Sequence, residues 1–294
     1  MPHNPGMNAP LPVSQALSAT AWQAGLRLGF SRSAERTVLH ENRHHGPLRV
    51  QKALYPEGGA VCQAIVLHPP AGIAGGDQLA IAAEVGGGAH AQLTTPGAGK
   101  WYRSGGVEAS QRIDFTVGEG AALEWLPQET IVFDGAQARM ETRVSLAADS
   151  RYIGWDILCL GRTASGERFE NGEMSLFFRV DRDGRPIWLE RGHVAGDDPM
   201  LASRAGWSGH SVCATLLCSF PELPQQAAGL LDVLRAIAPA DASLHGITAL
   251  PGVLIARYLG NNSEAARLWL AELWAILRPA CCGRPAVIPR IWNT

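Results

Sequence analysis

From residue 22 onward, apolar and polar positions alternate. Trp22, Ala24, Leu26, Leu28 and Phe30 fall on one face of an extended chain, the two-residue period of a half-buried strand. Further strand-like runs cover 37–40 and 48–54. Between 78 and 160 the pattern repeats itself. Val85-Gly-Gly-Gly88-Ala89-His90-Ala91-Gln92-Leu93 aligns with Val117-Gly-Glu-Gly120-Ala121-Ala122-Leu123-Glu124-Trp125, and Leu146-Ala-Ala-Asp149-Ser150-Arg151-Tyr152-Ile153-Gly154 continues it, a period of roughly 30 residues. Each unit reads as strand, four-residue turn with Gly or Asp where positive φ is expected, then strand. One such unit cannot bury both faces, so neighbours must stack, as in a solenoid. A Greek-key sandwich also fits the spacing.

Strands continue at 173–180 and 186–191, joined by the hairpin turn Asp181-Arg182-Asp183-Gly184, and at 211–219, 243–248 and 252–259. Residues 192–208 read as a long loop. Two helices are predicted in the C-terminal third. The first covers 224–237, opened by Pro224, stopped by Pro239 and striped by Ala227, Leu230, Leu231, Leu234 and Ile237. The second covers 263–278, with Asn262 or Ser263 as N-cap, Glu264 beside the positive helix end, and Pro279 ending it. The expected fold is therefore mainly β: solenoid-like layered sheets with two α-helices. Residues 1–20, rich in proline and poor in apolar mass, are expected to be a disordered tail, with 21–294 forming a single β-rich domain.

The second helix carries more apolar surface than one contact needs. Leu268, Trp269, Leu270, Leu273, Trp274, Ile276 and Leu277 leave only a narrow polar strip at Glu264, Arg267 and Arg278. Either the chain wraps this helix itself, or the surplus is a partner-binding face.

Composition narrows the function classes. A net charge of −2 gives no general attraction to nucleic acid or an anionic membrane. No apolar run reaches the ~20 residues of a bilayer span, and the N-terminus lacks the pattern of a secretory signal. The six cysteines make no Cys-x-x-Cys and read as reduced core residues of a cytoplasmic protein; vicinal Cys281-Cys282 is the one pair that suggests redox chemistry. His40-Glu41-Asn42-Arg43-His44 satisfies H-E-x-x-H. That chemistry requires a helix to bring both imidazoles onto one metal, and here the segment reads as a polar hairpin loop between strands. Thr94 to Lys100 imitates a phosphate loop, but Thr94 stands where its first glycine belongs and Trp101 where the magnesium-binding hydroxyl belongs. What remains is a set of carboxylates in apolar settings: Asp77, Glu129, Asp156 and Glu190. Each is either a structural acceptor for backbone, Arg103, Arg162 or Arg191, or part of one water-filled passage.

Four stretches together identify a family resemblance: the loop His68-Pro69-Pro70-Ala71-Gly72-Ile73-Ala74-Gly75-Gly76-Asp77, then Thr95 to Ser104, Leu123 to Gly135, and Gly154 to Arg162. They are similar to the urease accessory protein UreD (UreH) family, and the similarity extends over nearly the whole chain. The resemblance implies a β-helix-like body with two helices and a non-enzymatic, cytoplasmic role in urease maturation. In that role UreD, UreF and the GTPase UreG together deliver Ni²⁺ to apo-urease, in one hetero-oligomer, through an internal water tunnel. It implies that Asp77, Asp156 and Glu190 line the tunnel. It also implies that Leu268, Trp269, Leu273, Trp274, Leu277, Ile291 and Trp292 meet the partner. No tightly bound cofactor is expected, only Ni²⁺ in transit, with His68, Asp77 and Glu190 as transient ligands and His90 and His193 as further imidazoles. A small hydroxylated residue is common where this chain has Gly99. The rival readings are a metal-dependent hydrolase using His40, Glu41 and His44, and a generic β-solenoid binding module.

Overall fold

The computed structural model describes residues 21–293, so the tail expected over 1–20 lies outside the described residues. A hairpin of β1 (Gln23–Ser33) and β2 (Arg36–His45) leads through β3 (Arg49–Leu54) into a winding of stacked coils. The first coil is β4 (Val61–Leu67), β5 (Gly72–Ile73) and β6 (Gln78–Val85). The second is β7 (His90–Thr94), β8 (Gly99–Trp101) and β9 (Ala109–Val117), and the third β10 (Ala122–Leu126), β11 (Thr130–Val132) and β12 (Gln137–Leu146). A fourth coil, β13 (Arg151–Leu160) and β14 (Glu173–Arg182), has no separate short side, because β13 runs on to pair with β11. The β-solenoid expected from the repeat is thus the observed architecture, with about four turns.

Corners of the winding explain the repeat. Gly88 and Gly120 adopt φ of 66° and 61°, a region that favours glycine. The third corner departs from the expected pattern: Asp149 does not take positive φ, and its Oδ1 instead accepts from Gly120 N at 2.8 Å. Coil-to-coil bonds then lock the stack, with Ala122 N donating to Ala89 O and Arg151 N to Ala121 O, both at 2.9 Å.

Two long sheets result. One has the order β15-β14-β12-β9-β6-β1-β2, where β15 (Arg185–Ala195) closes a hairpin whose Asp183 and Gly184 carry φ of 48° and 72°. The other has the order β17-β18-β16-β13-β10-β7-β4-β3, completed by β16 (Val212–Ser219), β17 (Leu244–Leu250) and β18 (Val253–Gly260). Inward residues of facing strands stack in rows such as Ala83–Phe115–Val144–Val180 and make the inner core.

β13 is buried on both faces, as its continuous apolar run requires. Tyr152 and Leu158 face the solenoid interior, whereas Ile153, Trp155 and Ile157 face a second core formed with α1 (Leu223–Arg235) and α2 (Ser263–Cys282). That second core absorbs most of the apolar surplus of α2. Trp269, Leu273, Trp274 and Leu277, expected at a partner interface, are buried within the chain, and Leu268 is left 48% exposed. Trp292 also packs inward, its ring 5.5 Å from Trp155 and its Nε1 donating to Thr94 Oγ1 at 2.8 Å. Asn262 caps α2 as predicted, accepting from Ala265 N at 3.1 Å. The helix does not stop at Pro279 but continues to Cys282. A proline this near the end removes one intrahelical bond, and the following turn is held from outside, by Arg151 Nη1 on Cys281 O at 2.7 Å.

One ionic network clamps α2 to the outer face of the coils. Arg278, fully buried, donates through Nε to both oxygens of the equally buried Glu124 at 3.0 Å, while its Nη atoms reach Glu57 at 2.6 and 2.9 Å and the Pro285 carbonyl. Trp274 Nε1 adds a bond to Glu124 Oε2 at 2.6 Å, and His90 Nε2 lies 2.8 Å from Oε1. Burial alone raises a carboxyl, but His90 and Arg278 outweigh it and hold Glu124 down at about 2. Among the described residues no helix is long and apolar enough to cross a membrane.

Removing one partner of such a pair leaves an uncompensated buried charge. Arg278→Met is therefore expected to cost about 3–5 kcal/mol in chemical denaturation. A loss under about 1 kcal/mol, the size of a surface pair, would show that the network does not hold α2 in place.

Candidate functional site

Where the coils meet their short third side, the inner core does not close. A cavity of about 330 Å³ lies between the two sheets and opens toward the loops that follow β4, β7 and β10. Its floor is the inner rows Leu79–Gln111–Met140–Leu176 and Ile81–Ile113–Thr142–Phe178. Gln111 and Thr142 place polar groups inside those otherwise apolar rows. Trp101 and Trp125 also line it, as does Trp155, whose ring packs in the second core.

Asp156 lies on this wall. It is surrounded by protein yet keeps accessible surface, which faces the cavity. Among the described residues no hydrogen bond or ion pair reaches its carboxylate. Burial first, and then the negative charge of Glu190, push its pKa from 3.8 up to about 7, with Arg257 opposing them. The partners are placed by register: Asp156 pairs with Thr215 on β16, and Thr215 with Arg257 on β18. Glu190, on β15 of the other sheet, reaches across and accepts from Arg257 Nη2 at 2.6 Å. A carboxyl–carboxylate–guanidinium cluster thus bridges the two sheets. Cys213 and Tyr152 also feel the Asp156 charge.

The other predicted residues divide. Glu129 lines the cavity, with Arg267 Nε 3.6 Å from its carboxylate. His68 lines it too; its buried Nε2 has no hydrogen-bond partner among the described residues, and burial lowers its pKa, which favours the neutral ring. Asp77 lies outside the lining and has a structural role. It is 2% exposed, and its two oxygens accept from Trp22 N at 2.7 Å and Ala74 N at 2.8 Å, closing the loop before β6 and tying down the start of β1. Glu190 is held by Arg257 rather than by Arg191, while Arg103 and Arg162 are taken by Asp134 and Glu167. His193 is exposed beside Ser175. Gly99 lies on the cavity wall, and a Cβ built there would meet nothing within 4 Å, so a serine side chain would fit.

His40, Glu41 and His44 belong to β2 and not to a loop. At ~3.3 Å per strand residue the two histidines stand roughly 13 Å apart, too far to share a metal, so the hydrolase reading lacks its geometry. Sequence reasoning passed over Arg257 and Thr215, because their relation to Asp156 exists only through the pairing of three strands.

Asp156 supplies a pH test. Its folded-state pKa is raised, so the neutral acid is the form the fold favours. The stability cost is absent below about pH 4, grows as pH rises, and is complete above about 7. Asp156→Asn is expected to melt level with the wild type near pH 4 and above it at pH 8. Parallel melting curves across that window would refute the assignment.

Comparison with known proteins gives a consistent result. The profile of the family described as UreD urease accessory protein matches residues 23–293. The chain is 75% identical over 288 residues to a urease accessory protein UreD of Dechloromonas aromatica (strain RCB), covering 98% of this chain and all of that one. It is 52% identical over 273 residues to one from Azoarcus sp. (strain BH72), covering 93% and 94%.

Proposed function

The chain belongs to the UreD family of urease accessory proteins, and on that premise we propose that it is a nickel-insertion scaffold in urease maturation. With UreF and the GTPase UreG it passes Ni²⁺ to apo-urease, and the ion crosses the cavity between the sheets. The observation that carries this reading is Asp156, an unpaired carboxylate on the wall of an internal void, with Glu190 beside it and the free Nε2 of His68 in the same lining.

The chemistry suits passage. Imidazole and thiolate clusters retain first-row divalent ions, whereas a conduit needs sites weak enough to leave. Single carboxylates and one neutral imidazole, spread along a void, offer successive weak contacts. The midpoint of Asp156 near 7 makes the charge of the path depend on pH. As pH falls through about 7 the carboxyl becomes neutral and attracts a cation less. Glu190, outside the lining itself, is ion-paired to Arg257 and adds its negative charge beside Asp156. For partners, the outer faces of α1 and α2 remain, where Val233 and Leu268 are exposed; these faces are the surface proposed for the helical UreF.

Asp156→Asn and Glu190→Ala are expected to leave assembly with UreF intact and to lower the nickel content of urease activated in vitro. Wild-type nickel loading by both variants would end the conduit reading. Asp77→Ala should behave differently: it removes the acceptor for two backbone donors and is expected to cost about 1–3 kcal/mol of stability, so any loading defect should track with melting temperature.

A further inference from the structure

His90 and Glu124 lie on β7 and β10 and point outward, away from the cavity, into the second core. Cys282 ends α2 above them. We infer that these three residues form a closed site for one divalent transition-metal cation of the zinc, cobalt and nickel class, separate from the cavity. The inference does not rest on the proposed role in nickel delivery.

Geometry is the first support. One ligand atom from each residue lies within 4.8 Å of the others. With bonds of ~2.0–2.3 Å, the ligand atoms of a tetrahedral site stand roughly 3.3–3.8 Å apart. The His90–Glu124 pair, at 2.8 Å, therefore has to open by about 0.5–1 Å and the Cys282 sulfur to close by up to about 1–1.5 Å, within the reach of side-chain rotation. Water would complete four-coordination. Access is from the side of Cys282, which is half-buried, whereas Glu124 is sealed.

The surroundings of Glu124 are the second support. Metal-binding carboxylates are normally oriented by further hydrogen bonds. Here Trp274 Nε1 holds Oε2 at 2.6 Å, and Arg278 Nε braces both oxygens at 3.0 Å. Oε1 is thereby aimed at His90. The guanidinium does not oppose a cation uncompensated, because Glu57 answers its charge through two bonds. The polar row is also incomplete. Gln92, in register with Glu124 and fully buried, accepts from Gln63 at 2.6 Å while its own Nε2 has no partner among the described residues.

Charge is conserved on binding. The cation displaces the thiol proton of Cys282 and the proton that the His90 imidazole shares with Glu124. Two positive charges enter and two protons leave, so the buried network keeps its net charge. Thiolate and imidazole together retain such ions, the opposite of what the cavity offers. Metal here would tie the end of α2 to two successive coils, making the site a fastening and not a route.

The test uses metal-free full-length protein titrated with Co²⁺, read by the near-ultraviolet absorption of a cobalt–thiolate bond. One equivalent should give the band, Cys282→Ser should abolish it, and His90→Gln should weaken binding about tenfold or more. Bound Co²⁺ should also protect Cys282 of the wild type from alkylation, a readout that does not require any variant to fold. Glu190→Ala should keep the band whether or not nickel delivery falls, which separates failure of this site from failure of the conduit. Absence of the band in the wild type, its persistence in a folded Cys282→Ser protein, or unprotected Cys282 would overturn the inference.

Discussion

Glu124 and Arg278 are 154 residues apart and meet where neither has accessible surface. Ionised groups are costly to bury unless each donor and acceptor is used. Here a carboxylate takes bonds from Arg278, Trp274 and His90, and the guanidinium spends its remaining nitrogens on Glu57 and a carbonyl. Because the network closes only in one placement of α2, it fixes the helix in rotation and along its length. The apolar second core could tolerate several placements; the charges select one. The same placement seats Trp274 against Trp155 and leaves Trp292 room to pack on both. It also seals the outer side of β13 behind the cavity wall.

A division of labour between the two faces of the central sheet follows. Inward positions of β4, β7, β10 and β13 carry the cavity and Asp156. Outward positions carry the network under α2. Strand alternation keeps these chemistries about one sheet thickness apart while they share backbone, so His90 and Ala91, or Glu124 and Trp125, serve different interiors. A solenoid suits such an arrangement. Each coil presents the same register to the next, and one polar substitution per coil builds a row, as Gln63, Gln92 and Glu124 do across three strands.

Periodicity made the winding legible in the sequence, since Gly88 and Gly120 occupy equivalent corners and the apolar alternation runs through each side. Strand β13 announced its double burial by having no polar face. What was not legible were relations between distant segments. Asp77 was open to a structural reading and to the channel role that the resemblance implied, and two backbone donors claim its oxygens; a local turn and a functional carboxylate have the same local signature. The apolar excess of α2 could not be assigned to the chain or to a partner, because the surface that covers it is assembled from β13, β16 and β18. His40 and His44 sit in a strand because β1 pairs with β2 on both sides of an irregularity at His40, which a local polar pattern does not reveal. Arg257 meets Glu190 across 67 residues because the fold sets β18 of one sheet opposite β15 of the other.

Long separations along the chain also have a cost in time. Trp292 finds Thr94 across 198 residues, and Arg278 finds Glu57 across 221. Coils contact only their neighbours and can form as they leave the ribosome, but the helix that covers their outer face is translated last. At synthesis rates of ~5–20 residues per second, the interval between Glu124 and Arg278 lasts roughly 8–30 s. During that interval a nascent chain presents Leu126, Ile153, Trp155 and Ile157 uncovered, together with a glutamate that still lacks its Arg278 partner. The order of the sequence therefore leaves one apolar face of the half-made protein open until its last segment arrives, independently of how firmly the finished fold is closed.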